Sequence, residues 1–292
     1  MPETDGRLLH MKIRTLIGVL VLVAGTPFPS FGSEAGGENP PGDARPDLTL
    51  GLSPLRLDLR LKPGEPLTQS VRVANPGTVA VQIRGAVMDW MMSPSGEVTY
   101  VKPGAAGTYG CGGWIRMNPV EFPLIPGAEQ VVRYSVSVPQ GAVPAGYHCG
   151  LVFDMLPPPK SQQAGMGIVN LIRLVTTTYI TLGAPEVRAE IERLELKPRE
   201  GEKGGWEVRT SFRNPGTTHY RVRGTVELAT REGTLIRSFD YADFPVLPAN
   251  PRTVVFEVPG PLPPAVYRLR AVVDVGRPER LAAEAEVTVA PR

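Results

Sequence analysis

The chain has 292 residues, with 31 Lys and Arg against 29 Asp and Glu, so its formal net charge is +2. A content of 42% hydrophobic and 21% charged residues excludes an intrinsically disordered chain. The near-zero charge argues against a nucleic-acid binder, which would carry a concentrated basic excess. The length suggests about two domains. Since 32 glycines and 32 prolines form no repeat or low-complexity tract, they predict many turns between short strands, as in an all-β sandwich protein.

Residues 1–35 have the order of parts of a secretory signal peptide. A basic start at 11–14 precedes an apolar run at 16–24, and small residues suited to cleavage follow; Met11 is a second candidate for the start of the chain. The apolar run is too short to span a bilayer, which takes about 20 residues. We therefore expect an exported chain with no transmembrane anchor, and a polar, Pro/Gly-rich linker at 36–47.

The chain contains two cysteines, Cys111 and Cys149. In an exported protein such a pair suggests a disulfide, which could stabilise the fold by up to roughly 4 kcal/mol in the chain-entropy model. The alternative is that Cys149 is simply a buried apolar residue, because it lies with Tyr147 and Leu151 on the inward face of a predicted strand. No further ligands lie at metal-binding spacing.

Three short motifs occur twice in the same order: Asn-Pro-Gly-Thr at 75–78 and 214–217, Phe-Pro-x-x-Pro at 122–126 and 244–248, and Pro-Ala-x-Tyr at 144–147 and 264–267. An ordered set of this kind indicates two copies of one domain. We place the first copy at 48–182 and the second at 185–291.

Within each copy, apolar residues recur at every second position, which is the period of a half-buried strand. Residues 55–61, for example, alternate Leu with Arg or Asp. About seven strands per copy, separated by turns, is the pattern of an immunoglobulin-like sandwich. Tyr147 and Tyr267, each just after a Pro-containing turn, occupy the place of a tyrosine corner. The predicted fold class is therefore all-β, with two tandem immunoglobulin-like β-sandwich domains after a signal peptide.

Few residues in the chain are suited to catalysis. His148 adjoins Cys149, but neighbours on a strand point to opposite faces and cannot form a catalytic pair. No hydrolase, P-loop or zinc-protease motif occurs. Asp154 and Asp274 recur in both copies, which favours a role in the fold such as turn capping. We predict that the protein is not an enzyme and uses no catalytic residues, no metal and no cofactor.

The segment 168–182 (IVNLIRLVTTTYITL) is rich in β-branched residues, with one charge and neither Pro nor Gly. At fifteen residues it would be a long strand, because strands usually have 3–10 residues. One interpretation is a last strand of the first copy whose edge is covered. The other is an edge used to add a strand to a partner's sheet.

These features together resemble the periplasmic pilus-assembly (PapD-like) chaperones. Residues 118–127 (NPVEFPLIPG) resemble that family's Pro-rich turn and the element after it, and residues 153–158 (FDMLPP) resemble its strand ending in two prolines. The segment 168–182 falls where the family's donor strand lies. The likeness covers most of 48–182 and, more loosely, the second copy.

The resemblance implies donor-strand complementation: alternating apolar residues of the strand complete a pilin that lacks its last strand, and two basic residues hold the pilin's C-terminal carboxylate. Arg56 matches the first basic position, whereas the second falls within 176–179, which reads Thr-Thr-Thr-Tyr. The cation in this strand is Arg173. The partner-binding residues so implied are Arg56, Ile168, Ile172, Arg173 and Leu174. The implied location is the periplasm, and the implied partners are pilins or other fibre subunits, with an outer-membrane usher left open.

A second hypothesis comes from another class of protein. Tandem immunoglobulin-like modules also serve as extracytoplasmic structural or adhesion proteins with no chaperone role. In that case the long strand is covered, and Arg56 belongs to a solvated strand face shared with Arg60 and Lys62. Binding of incomplete subunits distinguishes the two hypotheses, because a structural spacer would ignore them.

Overall fold

The computed structural model describes residues 47–157, 171–199 and 205–291. In these ranges the chain forms β-strands and one short 3₁₀-helix at Gly112–Trp114, and no described helix is long and apolar enough to cross a membrane. The strands build two β-sandwiches, each around its own apolar core. The predicted all-β fold class is confirmed. The predicted signal peptide and most of the predicted linker lie outside the described residues.

The first sandwich contains ten strands in two sheets. One sheet has the order β1-β3-β8-β6, and the other has the order β2-β10-β9-β4-β5, with β7 also paired to β4. All neighbours are antiparallel except β2 and β10, which run parallel. The strands are β1 Gly51–Ser53, β2 Arg56–Leu61, β3 Pro66–Ala74, β4 Val81–Met92, β5 Val98–Val101, β6 Ile115–Asn118, β7 Glu121–Leu124, β8 Glu129–Ser137, β9 Gly146–Met155 and β10 Arg173–Leu182.

The second sandwich packs a sheet of order β11-β12-β15 against one of order β14-β13-β16-β17. Its strands are β11 Glu190–Pro198, β12 Trp206–Arg213, β13 Tyr220–Thr230, β14 Leu235–Val246, β15 Arg252–Val258, β16 Ala265–Asp274 and β17 Leu281–Val289. The two-residue alternation of the sequence decides which side chains enter each core. Along β12, for example, Trp206, Val208, Thr210 and Phe212 are buried, while the residues between them are not.

Both predicted tyrosine corners are present. The hydroxyl of Tyr147 donates a hydrogen bond to the carbonyl of Val143 at 3.0 Å, and that of Tyr267 donates to the carbonyl of Pro263 at 2.8 Å. The recurring aspartates differ. Asp274 accepts a bond from the amide of Gly276 and so supports a turn, as expected, whereas Asp154 forms an ion pair instead of capping a turn.

The repeated Asn-Pro-Gly motif is explained by a buried asparagine. In the second sandwich, the Asn214 amide nitrogen donates to the carbonyls of Thr218 and Val246, both at 2.9 Å, and its oxygen accepts from the Gly216 amide at 3.0 Å. Asn75 makes the equivalent bonds in the first sandwich. One side chain thus joins the turn to the end of a neighbouring strand, which is why the motif occurs once in each copy.

Replacing Asn214 with Ala should lower the free energy of unfolding by about 3 kcal/mol, because three backbone groups would lose their partner in a buried place. Urea denaturation of the full chain measures this loss. The matched control is Asn250→Ala, since the Asn250 amide makes a single bond, to the carbonyl of Pro248. A loss at Asn214 no larger than that at Asn250 would contradict this account of the motif.

Candidate functional site

The candidate site begins at strand β10, the end of the segment that the sequence singled out. The described strand starts at Arg173, later than the predicted start at Ile168, which lies outside the described residues. Leu171 and Ile172 precede the strand, although the carbonyl of Ile172 still accepts a bond from the Met155 amide. Among described residues, β10 is therefore an ordinary ten-residue strand between β9 and β2.

One side of β10 lacks a described strand partner over its first four residues, although the Thr176 hydroxyl donates to the carbonyl of Pro54 at 2.7 Å. Pairing with β9 runs from Arg173 to Thr181, but parallel pairing with β2 begins only at Thr177. The Met155 amide donates to the carbonyl of Ile172, so the backbone groups of even-numbered residues bond to β9. The Thr177 amide donates to the carbonyl of Leu55, so the backbone groups of odd-numbered residues point to the other side. The amide and carbonyl of Val175 consequently point towards the open side. This is a short edge that another strand could extend.

Apolar side chains line this open edge. Ile172 and Leu174 are partly buried against the rim of the first core. Leu55, whose carbonyl accepts from the Thr177 amide, and Leu171, which precedes the strand, are 64% and 60% exposed. Exposed leucines beside unpaired backbone are typical of a surface that binds a partner.

Arg173 is engaged with its own sheet. Its Nε and Nη2 donate to the two carboxylate oxygens of Asp154 at 2.6 and 2.9 Å, and its guanidinium lies 6.0 Å from the ring centre of Tyr100. The hydrogen bond to Asp154 raises the pKa of Arg173. A partner's carboxylate would have to compete with Asp154 for this cation, so Arg173 is a poor anchor as it stands.

Arg56 lies in a cleft of about 270 Å³ between the two sandwiches. Its Nε donates to Asp58 at 2.7 Å, and its side chain is 44% exposed. The cleft is lined by residues of both sandwiches: Arg56, Trp90, Met92, Val98, Tyr100, Thr177, Tyr179, Arg221 and Pro245. The structure thus brings Arg56 together with the threonine-rich part of β10, but not with Arg173.

Arg221 on β13 is a cleft residue that the sequence analysis did not identify. The repeat places it at the position of Gln82 in the first copy, so no shared pattern pointed to it. Its Nε donates to the carboxylate of Asp243 at 2.7 Å, and its side chain is only 26% exposed. It reaches the cleft because the second sandwich packs against the outer face of β10 and β4.

Aromatic rings lie at the joint between the two sandwiches, beside this cleft. Tyr179 of the first sandwich stacks on His219 of the second with ring centres 4.0 Å apart, and within the first sandwich Trp90 lies 4.5 Å from His148. Trp90, Tyr179 and Leu247 form a small buried cluster of their own. Burial lowers the pKa of both histidines to about 4, so both rings are neutral at pH 7.

Backbone contacts reinforce this joint. The amide of Gly146 donates to the carbonyl of Thr217 at 2.9 Å, and a side chain at Gly146 would collide with Thr218. At another point, the amide of Thr253 donates to the carbonyl of Pro94 at 2.7 Å. Several separate contacts therefore join the two sandwiches.

The predicted disulfide is confirmed: Cys111 and Cys149 are bonded, and neither is free. The bridge ties the Gly-rich loop before the 3₁₀-helix to strand β9. Asp89 of β4 supports the same loop, because its two carboxylate oxygens accept bonds from the amides of Gly104 and Gly112 at 2.6 and 2.7 Å. Among the described residues, no cluster of His, Cys, Asp or Glu could hold a metal ion.

No family model matches the chain, and no curated protein matches it. Solved structures similar to it include the class 5 fimbriae chaperone CfaA, at 12% identity and a TM-score of 0.43 over 81% of this chain and 98% of that one. A chain of the CsuC–CsuE chaperone–tip adhesion subunit complex from archaic chaperone-usher pili of Acinetobacter baumannii is 15% identical, with a TM-score of 0.43 over 81% and 97%.

The Escherichia coli chaperone DraB is 12% identical, with a TM-score of 0.40 over 81% of this chain and 96% of that one.

Proposed function

We propose that this protein is a periplasmic chaperone that binds pilus or other fibre subunits by donating an edge of strand β10 to the subunit's sheet. The open side of β10 ahead of Thr177 carries this proposal. It supplies unpaired backbone groups, and the partly buried Ile172 and Leu174 with the exposed Leu55 and Leu171 supply apolar surface. Strand addition of this kind needs no nucleotide, because backbone bonds and buried apolar area provide the free energy.

Each of the five partner-binding residues implied by the resemblance has its own role in this proposal. Ile168 lies outside the described residues, and we propose that it extends the donated strand. Ile172 and Leu174 would contribute apolar contacts at the open rim. Arg56 would face the end of the subunit chain from the cleft. Arg173 would contribute once its ion pair with Asp154 is exchanged for contacts with the partner.

The test is to replace Val175 with Pro in the tagged full-length chain. Proline removes the Val175 amide, which points to the open edge, and leaves the hydrogen bonds to β9 intact, because Val175 makes no bond on that side. Val175→Thr is the matched control, since it keeps the amide and the branched shape. Purification from the native periplasm, followed by mass spectrometry, measures which subunit each variant retains.

We expect the wild type and Val175→Thr to retain one small fibre subunit and Val175→Pro to lose it, with both variants giving the same melting temperature. A protein that purifies alone, or that retains envelope material equally in all three forms, would contradict strand donation. That result would favour the structural or adhesion module, for which the well-packed joint between the sandwiches is suited. Whether an usher takes part is a further question for the same mass spectra.

A further inference from the structure

We infer that the free edge of strand β14, in the second sandwich, pairs with the same edge of a second copy of this chain to form a dimer. The four-stranded sheet that ends at β14 would then continue into the equivalent sheet of the other copy, across a twofold axis. This surface belongs to a different sandwich from the open edge of β10. The inference therefore goes beyond strand donation and does not depend on it.

Strand β14 is a long edge without the usual protection. It lies at the end of its sheet and has twelve residues, although edge strands are commonly kept short. Between Leu235 and Ala242 it contains neither Lys nor Pro, two residues that often protect an edge strand from pairing. At its start, Leu235 and Ile236 are 56% and 39% exposed. Exposed apolar residues beside an unprotected edge favour a partner strand.

The neighbouring edge in the opposite sheet, β15, is treated differently by the fold. Phe256 of β15 stacks on Phe239 of β14 with ring centres 5.0 Å apart, so the two edges lie on the same side of the sandwich. The start of β15 is covered by the turn between β4 and β5, because the Thr253 amide and Arg252 Nη1 both donate to the carbonyl of Pro94. In the described chain, no residue outside β13 forms a backbone–backbone hydrogen bond with β14.

The regular part of β14 is short and symmetric. Its pairing with β13 shifts register twice: Ile236 is the extra residue at one shift, and residues 242–243 contain the other. Between these irregularities, Arg237 to Tyr241 pair residue by residue with β13. The centre of this regular segment is Phe239, which is therefore the natural position for a twofold axis.

The backbone groups of Ser238 and Asp240 point to the free edge. In the turn before β14, the Thr230 amide donates to the carbonyl of Thr234, so even-numbered residues of β13 bond to β14. Their partners on β14 are the odd-numbered residues 237, 239 and 241. The even-numbered residues of the regular segment consequently direct their amides and carbonyls away from β13, and their side chains are exposed. A second strand can pair there without disturbing the sheet.

Polarity selects one register for this pairing. With the axis at Phe239, Ser238 lies opposite Asp240 of the second copy, and each such pair exchanges both backbone hydrogen bonds. A serine hydroxyl then lies beside each carboxylate, and Arg237 lies opposite an uncharged residue. An axis at Asp240 would bring two carboxylates together, and an axis at Ser238 would place Asp240 opposite the extra residue Ile236. The edge is therefore complementary to itself around Phe239.

Single introduced cysteines test this register. The two native cysteines are bonded to each other, so an added cysteine is the free thiol of each variant. Only a residue on the twofold axis faces its own copy closely enough for a disulfide. We expect Phe239→Cys to form a disulfide-linked dimer on mild oxidation, and the controls Ser238→Cys and Asp240→Cys to form about tenfold less. Non-reducing electrophoresis and intact mass measure the yield.

A second measurement keeps the Phe239 ring, because its loss removes the stack on Phe256. Ser238→Pro removes an outward amide and leaves the bonds to β13 intact, and Ser238→Thr is the matched control. Sedimentation velocity of the full chain follows dimerisation as the protein concentration increases. We expect the wild type and Ser238→Thr to dimerise alike. Ser238→Pro should raise the dissociation constant about tenfold or more, because each copy loses a hydrogen bond to the other.

Several results would overturn the inference. They are a wild type that is monomeric at every concentration, a dimer that Ser238→Pro leaves unchanged, and cross-linking of Ser238→Cys or Asp240→Cys as efficient as that of Phe239→Cys. A dimer lost in Val175→Pro but kept in Ser238→Pro would place the contact at β10 instead. A monomeric Ser238→Pro variant that still retains the fibre subunit would support both proposals, since the two edges would then act separately.

Discussion

Lowering the pH from about 7.5 to about 4 should destabilise this protein through two histidines at the joint between its sandwiches. His148 and His219 are neutral in the folded protein, because burial lowers their pKa from 6.5 to about 4. In the unfolded chain they regain the ordinary value, so between pH 6.5 and 4 the unfolded state binds more protons. The two histidines therefore contribute their full stabilisation above pH 6.5. The free energy of unfolding falls as the pH decreases from 6.5 to 4, and protonation of these groups lowers it no further below pH 4.

The expected size of the effect is about 3 kcal/mol for His148, the more deeply buried ring. His219 adds a smaller amount, because it retains some contact with water. Charged groups near the two rings also shift their pKa values. Asp89 favours protonation of His148, and Asp58 favours protonation of His219, whereas Arg221 and Arg56 oppose protonation of His219. Each proton on one histidine also opposes the other.

Urea denaturation at several pH values, on the wild type and on a His148→Asn, His219→Phe double variant, measures this effect. Phenylalanine keeps a ring against Tyr179, and asparagine keeps a polar group beside Trp90. Carboxylates elsewhere contribute equally to both proteins, so the difference isolates the histidines. The same pH dependence in both proteins would show that the two rings are not neutral at the joint.

Replacing Asp89 with Asn should lower the free energy of unfolding by about 2–4 kcal/mol. The carboxylate is completely buried and accepts bonds from the amides of Gly104 and Gly112. An asparagine can accept only one of these bonds, and its amino group would then face the other amide hydrogen. Bonds to a buried charged acceptor contribute roughly 1.5–3 kcal/mol each, so loss of one bond has a large cost.

The control for this prediction is Glu129→Gln, which removes a carboxylate from an exposed position on β8. Exposed substitutions of this kind usually change stability by less than about 0.5 kcal/mol. We measure both variants by urea denaturation at pH 7, with the Cys111–Cys149 disulfide intact. If Asp89→Asn costs no more than Glu129→Gln, then the disulfide alone holds the Gly-rich loop in place.

Much of the fold follows from local patterns in the sequence. Alternating apolar residues predicted which side chains enter the cores, since a strand turns successive residues to opposite faces. The repeated Asn-Pro-Gly and Pro-Ala-x-Tyr motifs marked two sandwiches, because Asn75 with Asn214 and Tyr147 with Tyr267 make the same local bonds. The cysteine pair predicted the disulfide correctly.

The candidate site was predicted in part. The segment at 168–182 indicated β10, and the resemblance singled out Arg56, which pairs with Thr177 of β10 and lines the cleft. The resemblance also implied Arg173 as a partner-binding residue, but Asp154 lies opposite it on β9 and forms an ion pair with it. Pairing between β9 and β10 brought these two residues together, and the sequence of one strand does not show which strand pairs with it.

The amino-acid sequence by itself determined that this chain builds two sandwiches with an apolar final strand in the first, because strand alternation and turn chemistry act between residues close in the chain. Only the tertiary structure decided which part of β10 is open and which residues meet in the cleft. Arg221 lies 165 positions after Arg56 in the chain, yet both line one cleft. That proximity arises from packing of Tyr179, His219, Trp90 and Leu247 at the joint, an arrangement set by shape and burial between distant segments.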